Sequence, residues 1–92
     1  MALGCQQEKT VKIGAVLPLT GEGAVYGQPV KKGVELAFEQ LQASGEYPHP
    51  LELEIHDSES SPEKAKALAE QLYEGGALAV IGGVITPEAL EM

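Results

Sequence analysis

The chain has 92 residues, which is enough for one small domain. It carries 14 acidic against 6 basic residues, and its net charge of −8 argues against nucleic acid or anionic lipid as a partner. Hydrophobic residues make up 43% of it, too large a share for a disordered chain, and no apolar run is long enough to cross a bilayer. These limits favour a single globular domain.

The amino-terminal residues form a polar segment around the only cysteine, Cys5, so no internal disulfide is possible. Ala2-Leu3-Gly4-Cys5 resembles the end of a bacterial lipoprotein signal, in which a small residue precedes a cysteine that becomes lipidated. The residues that follow are polar and suit a tether. We predict a flexible tether over residues 1–10 with Cys5 as a possible lipidation site. The alternative is a chance cysteine in a frayed tail.

The first predicted strand and helix flank a glycine-rich loop. Val11–Leu17 is apolar and suits a strand buried on both faces, which Pro18 ends because it has no N–H to donate. A helix is predicted over residues 25–43, with Gly45 as its left-handed cap. Because a proline is tolerated only in the first turn of a helix, Pro29 indicates that the regular helix starts near Gln28.

The second half of the chain repeats this alternation. Residues 51–56 alternate strictly between apolar and polar, which predicts a half-exposed strand at a sheet edge. Ser61 and Pro62 predict the cap and first position of a second helix, which ends at residues 75–76. Residues 77–81 suit a buried strand, and Thr86 is predicted to cap a third helix. The fold class is therefore α/β, a βαβαβ(α) chain with a three-stranded parallel sheet in the order 2-1-3.

The glycine-rich loop raises the possibility of a nucleotide-binding enzyme domain. Gly21, Gly23 and Gly27 follow a strand and open a helix, but their spacing is G-x-G-x-x-x-G rather than G-x-G-x-x-G. Asp57, at the end of the second strand, lies further along the chain than that fingerprint requires. The sequence therefore disfavours a dinucleotide site without removing the alternative.

His56 and Asp57 make a poor catalytic pair, because adjacent residues on a strand point to opposite faces. The simpler interpretation is that Asp57 satisfies local backbone donors at a strand end. The serines that follow suit a turn and a helix cap. No nucleophile stands in a recognisable setting, so we expect neither an enzyme nor a metal or other cofactor.

Tyr26 and Thr86 follow strands predicted to be neighbours, so both are expected at the rim of one crevice. Tyrosine offers an apolar face and a hydroxyl group. Thr86 and nearby backbone N–H groups offer donors to an anion such as a carboxylate. The alternative is that Tyr26 only packs and that Thr86 is only a cap.

These residues resemble a known family. Ile13–Gly21 with Tyr26-Gly27, Gly33–Ala37, Asp57, Pro62–Ala65 and Ala79–Gly83 together resemble the amino terminus of the type I periplasmic binding proteins, particularly the leucine/isoleucine/valine-binding branch. The resemblance covers nearly all of the chain after the tether. It implies that residues 11–92 are the amino-terminal part of the first of two lobes, a truncated, partial Rossmann-like lobe.

The resemblance also implies a function and its residues. In this family the position of Thr86 usually binds the ligand carboxylate, the aromatic at Tyr26 lines the cleft, and the backbone at Val84 and Ile85 faces the ligand. Pro87 departs from the family pattern, because it stands where a hydroxyl residue is common and it removes one backbone N–H. The expected protein is an extracytoplasmic receptor for a small polar ligand, serving the membrane permease of an ABC transporter. A fragment without independent binding is a further alternative. The exposed edge of the third strand predicts a homodimer, with that strand or the helix beginning at Thr86 in a two-fold interface. The competing expectation is a monomer whose last residues fold back over this edge.

Overall fold

A computed structural model describes residues 10–92, which form a three-stranded parallel sheet with flanking helices. The strand order β2-β1-β3 confirms the predicted fold class. Cys5 and the predicted tether, apart from residue 10, lie outside the described residues. The elements in chain order are β1 (Val11–Leu17), α1 (Ala24–Ser44), β2 (Leu51–Asp57), α2 (Pro62–Glu74), β3 (Ala77–Gly82) and α3 (Thr86–Glu91).

Strand β1 is the centre of the sheet and pairs in parallel on both sides. Its pairing with β2 runs without interruption from Val11 opposite Leu51 to Leu17 opposite Asp57. Its pairing with β3 has one register shift, next to Lys12. Because all three strands are parallel, their carboxyl ends lie at the same end of the sheet.

Helix boundaries differ from the prediction at two places. Helix α1 begins at Ala24, one residue before the predicted range 25–43, and Pro29 lies inside it, so the indication of a regular start near Gln28 is wrong. The N–H groups of Tyr26 and Gly27 already donate to Gly23 O, so the helix is established before the proline, whose missing N–H leaves a gap only near the exposed first turn.

The third helix also starts differently from the prediction. Helix α3 begins at Thr86, with Ile85 in the N-cap position and no side-chain cap, so the prediction that Thr86 is the cap is wrong by one position. By contrast, Gly45 is the left-handed cap of α1, and Ser61 caps α2 by accepting a hydrogen bond from Lys64 N. These two caps confirm the predicted carboxyl end of α1 and the predicted start of α2.

The two faces of the sheet are packed differently. On one face α2 lies close to β1, and a Cβ atom placed on Gly14 would come within 2.6 Å of Leu72 Cδ1. On the other face an apolar cleft of about 670 Å³ separates α1 from the strands. The buried cluster of the α2 face comprises Val16, Ala65, Leu72 and Ala77.

Candidate functional site

Three connections meet at the carboxyl end of the sheet: the β1–α1 loop (residues 18–23), the β2–α2 turn (residues 58–61) and the β3–α3 loop (residues 83–85). Each follows a strand, and the strands are parallel, so the sheet itself brings the three together. This end of a parallel α/β sheet is where such folds bind ligands.

Asp57 joins the first two of these connections. Its Oδ1 accepts backbone hydrogen bonds from Leu19 N at 2.9 Å, Thr20 N at 3.3 Å and Glu59 N at 2.8 Å, and its Oδ2 accepts one from Thr20 Oγ1 at 2.8 Å. Burial raises the pKa of Asp57, but the hydrogen bonds outweigh burial and leave that pKa below its ordinary value. Asp57 satisfies backbone donors as predicted, although two of them belong to the β1–α1 loop.

Ser60 joins the same two connections at a second point. Its Oγ accepts a hydrogen bond from Gly23 N at 2.8 Å and donates one to Thr20 O at 2.8 Å. Gly21 passes so close that a Cβ there would lie 2.9 Å from Ser60 Oγ, and its φ of 84° suits glycine. We call the hydrogen-bonded set of Leu19, Thr20, Gly23, Asp57 and Ser60 the loop interlock.

The loop interlock bears directly on the nucleotide-binding alternative. A phosphate-binding loop needs free backbone N–H groups, but those of Leu19, Thr20 and Gly23 already donate to protein oxygens. The carboxylate of Asp57 also places negative charge against this loop. The geometry therefore disfavours a pyrophosphate site at the glycine-rich loop.

A second polar contact connects the β2–α2 turn to α3. Ser58 and Glu88 are both fully buried, and Ser58 Oγ donates to Glu88 Oε2. Ser58 N also donates to Leu17 O at 2.9 Å, so the pair lies beneath the end of β1. Sequence reasoning missed this pair because an acidic residue in the first turn of a helix is ordinary on electrostatic grounds.

The predicted ligand-binding residues lie on the first and third of these connections and the helices that follow them. Tyr26 is in the first turn of α1 with 62% of its surface exposed, and Thr86 is the exposed first residue of α3. Val84 and Ile85, in the loop before Thr86, are half-buried. Parallel pairing of β1 with β3 puts all four at the same end of the sheet. Their contact with a ligand remains a prediction.

His56 and Asp57 have separate partners, as expected for neighbours on a strand. His56 Nε2 lies 3.1 Å from Glu54 Oε2, and Glu54 Oε1 lies 3.2 Å from Lys12 Nζ. Asp57 instead makes its hydrogen bonds within the loop interlock. Within residues 10–92, no set of three His, Cys, Asp or Glu side chains is arranged to hold a metal ion. In the same residues, no helix combines the length with the apolar character that a membrane span requires.

Comparison with known proteins identifies the family. The sequence model described as "Periplasmic binding protein" matches residues 10–92. The chain belongs to the periplasmic binding protein family, in agreement with the resemblance seen in its sequence.

Relatives of this chain are named as amino-acid-binding proteins. "Leu/Ile/Val-binding protein homolog 3" of Brucella melitensis is 35% identical over 81 residues, covering 87% of this chain and 22% of the relative. The "Leucine-, isoleucine-, valine-, threonine-, and alanine-binding protein" of Pseudomonas aeruginosa is 36% identical over 76 residues, covering 82% and 20%. The chain thus spans about a fifth of the length of these relatives.

Proposed function

We propose that this chain supplies part of the first lobe of an extracytoplasmic solute-binding receptor for an amino acid, and that it catalyses no reaction. The observation that carries the proposal is the parallel pairing of β1 with β3, which puts Tyr26 and Thr86 at one end of the sheet. The relatives' names, which cite leucine, isoleucine and valine, support an aliphatic amino acid as the ligand.

The proposed ligand contacts come from two parts of the site, the first turn of α1 and the β3–α3 loop with the first residue of α3. Tyr26 lines the crevice with its ring, and Thr86 with the backbone at Val84 and Ile85 holds the ligand carboxylate. A small ligand needs most of its surface covered, and these residues cover only one side of it. We therefore expect a dissociation constant of about 1 mM or weaker for the chain alone.

A titration of the ¹⁵N-labelled chain with L-leucine tests this proposal. Amide resonances of residues 84–86 and of Tyr26 should shift, and Tyr26→Ala or Thr86→Val should reduce the shifts. Glu35→Gln, at an exposed position on α1, is the matched control and should leave them unchanged. Absence of any shift would contradict the proposed function and favour a chain without independent binding, whereas shifts with ATP or NAD⁺ alone would favour the nucleotide alternative.

We also propose that the receptor delivers its solute to the permease of an ABC transporter, and that Cys5 is lipidated and anchors it to the membrane. The motif Ala2–Cys5 supports the anchor, and family membership supports the transport role. Labelling of cells with a radioactive fatty acid should mark the wild-type protein and leave Cys5→Ser unlabelled.

We further propose that the chain forms a homodimer through β3. In the described sheet β3 pairs only with β1, so its other edge is open, and its side chains Leu78, 69% exposed, and Ile81 line the apolar cleft on the adjoining α1 face. An apolar edge with free backbone groups is a template for pairing with another strand. Sedimentation should show a dimer that Leu78→Lys dissociates and the control Leu36→Lys, on α1, does not. A wild-type monomer at high concentration would contradict the proposal.

A further inference from the structure

The β2–α2 turn holds an unusual backbone conformation. Glu59 and Ser60 have φ values of 58° and 59°, two successive residues in the left-handed region that side chains other than glycine seldom adopt. Such conformations persist where the surrounding contacts determine them, and they concentrate at functional sites. Here the conformation aims Ser60 Oγ at the neighbouring loop.

Two hydrogen bonds lead from this turn to Tyr26. Ser60 Oγ accepts from Gly23 N, and Gly23 O in turn accepts from Tyr26 N at 2.9 Å. Gly23 is the N-cap residue of α1 and is buried. Helix α1 has no side-chain cap of its own at this end, so Ser60 takes part of that role from another segment.

We propose that Asp57 and Ser60 are positioning residues of the binding crevice: from the β2–α2 turn they hold the β1–α1 loop and, through Gly23, fix the place of Tyr26. The role in binding rests on the proposed function. The role in holding the loop does not, because it concerns the hydrogen bonds of the loop interlock alone.

The contacts favour local control of the loop over general stabilisation. The buried cluster of the α2 face includes neither residue, and β1 pairs with β2 along its full length through backbone groups. Pro18 is buried at the start of the loop, but Thr20 and Gly21 are exposed, so the middle of the loop gains little from apolar burial. Loss of the hydrogen bonds should therefore open this loop and leave the sheet closed.

Amide hydrogen exchange in the full chain separates the two roles. Asp57→Ala removes every acceptor and should speed exchange at Leu19 and Thr20 by about tenfold or more, because bonds to a charged group are strong. Asp57→Asn keeps an Oδ1 acceptor for the backbone donors and should rescue most of the protection. Ser60→Ala should speed exchange at Gly23 and Tyr26. The strand amide of Val16 should stay protected in all three variants.

The role in binding is tested by repeating the leucine titration with the same variants. Asp57→Ala should weaken leucine binding about tenfold, and Asp57→Asn should restore it. Faster exchange spread evenly over loop and strand, or unchanged exchange at Leu19 and Thr20, would overturn the positioning role. If the wild-type chain does not bind leucine but the variants change the loop exchange as expected, the proposed function fails and the loop-holding role stands. If leucine binds equally to Asp57→Ala, the positioning role is overturned and the proposed function stands.

Discussion

The two faces of the sheet use the same strands and reach different packing. On the α2 face small residues, Gly14, Ala65 and Ala77, let the helix approach closely and enclose Leu72, which is only 4% exposed. On the α1 face the helix buries a single residue, Gly27, and its apolar stripe borders the cleft. Close packing gains dispersion energy that an open cleft forgoes. The stability of the described domain should therefore come mostly from the α2 face.

Truncating one large side chain on each face gives the largest expected contrast. Leu72→Ala empties a buried site and should lower the free energy of unfolding by about 3 kcal/mol. Phe38→Ala on α1 removes more atoms from a half-buried position and should cost about 1 kcal/mol. Urea unfolding followed by circular dichroism measures both. Equal losses would show that the two faces contribute alike.

The same substitution at two glycines of α1 should have opposite effects. A Cβ on Gly27 would lie 1.9 Å from Pro18 O, a backbone atom that cannot turn aside, whereas nothing lies within 4 Å of a Cβ on Gly33. Gly27→Ala should thus destabilise the chain by about 2 kcal/mol. Gly33→Ala should stabilise it by about 0.5–1 kcal/mol, because alanine favours the helix.

Thermal unfolding of these two variants would locate the anchor of α1. A rise in Tm for Gly33→Ala with a fall for Gly27→Ala would place the anchor at the first turn, beside the loop interlock. A fall for both would mean that the middle of α1 also packs closely, contrary to the open cleft.

Sequence periodicity predicted the three strands and their order, but the prediction that residues 77–81 form a buried strand is wrong, because β3 lies at an edge of the described sheet and is mostly exposed. The buried strand β1, the half-exposed edge strand β2 and the caps at Gly45 and Ser61 follow from local rules, and each was confirmed, although burial does not alternate along β2. The predicted range of α1, from residue 25, was right to within one residue, but the indication of a regular start near Gln28 was wrong because it treated Pro29 as a start signal. The helix begins upstream, on the carbonyl of Gly23, and accommodates the proline.

The candidate site was predictable only in part. The predicted strand ends placed Tyr26 and Thr86 at the same end of the sheet, because the carboxyl ends of parallel strands all lie at one end. The loop interlock could not be predicted, because its bonds join residues 37 or more positions apart through one loop geometry. No periodicity encodes such contacts, and the serine-rich turn before Ser61 indicated only a turn and a cap.

Acid should lower the stability that the α2 face contributes, by a smaller amount than the substitutions above. Lys12 and Glu54 form an ion pair beside the end of α2, where Lys12 Nζ also donates to Gly75 O, while the cleft on the opposite face has an apolar lining. The hydrogen bonds from His56 and Lys12 hold the pKa of Glu54 below its ordinary value of 4.5. A carboxyl group whose pKa is lower in the folded state stabilises that state above its unfolded pKa.

This stabilisation is fully present above about pH 4.5 and is lost as the pH falls through the folded-state pKa of Glu54. Asp57 adds a second loss below its ordinary pKa of 3.8, at the loop interlock. Between pH 6 and pH 2.5, Tm should decline modestly, and Glu54→Gln should flatten part of the decline. Glu52→Gln, exposed on the same strand, is the matched control and should keep the wild-type slope. A wild-type slope in Glu54→Gln would mean that the ion pair contributes nothing, as many exposed pairs do, and that the α2 face is held by its apolar cluster alone.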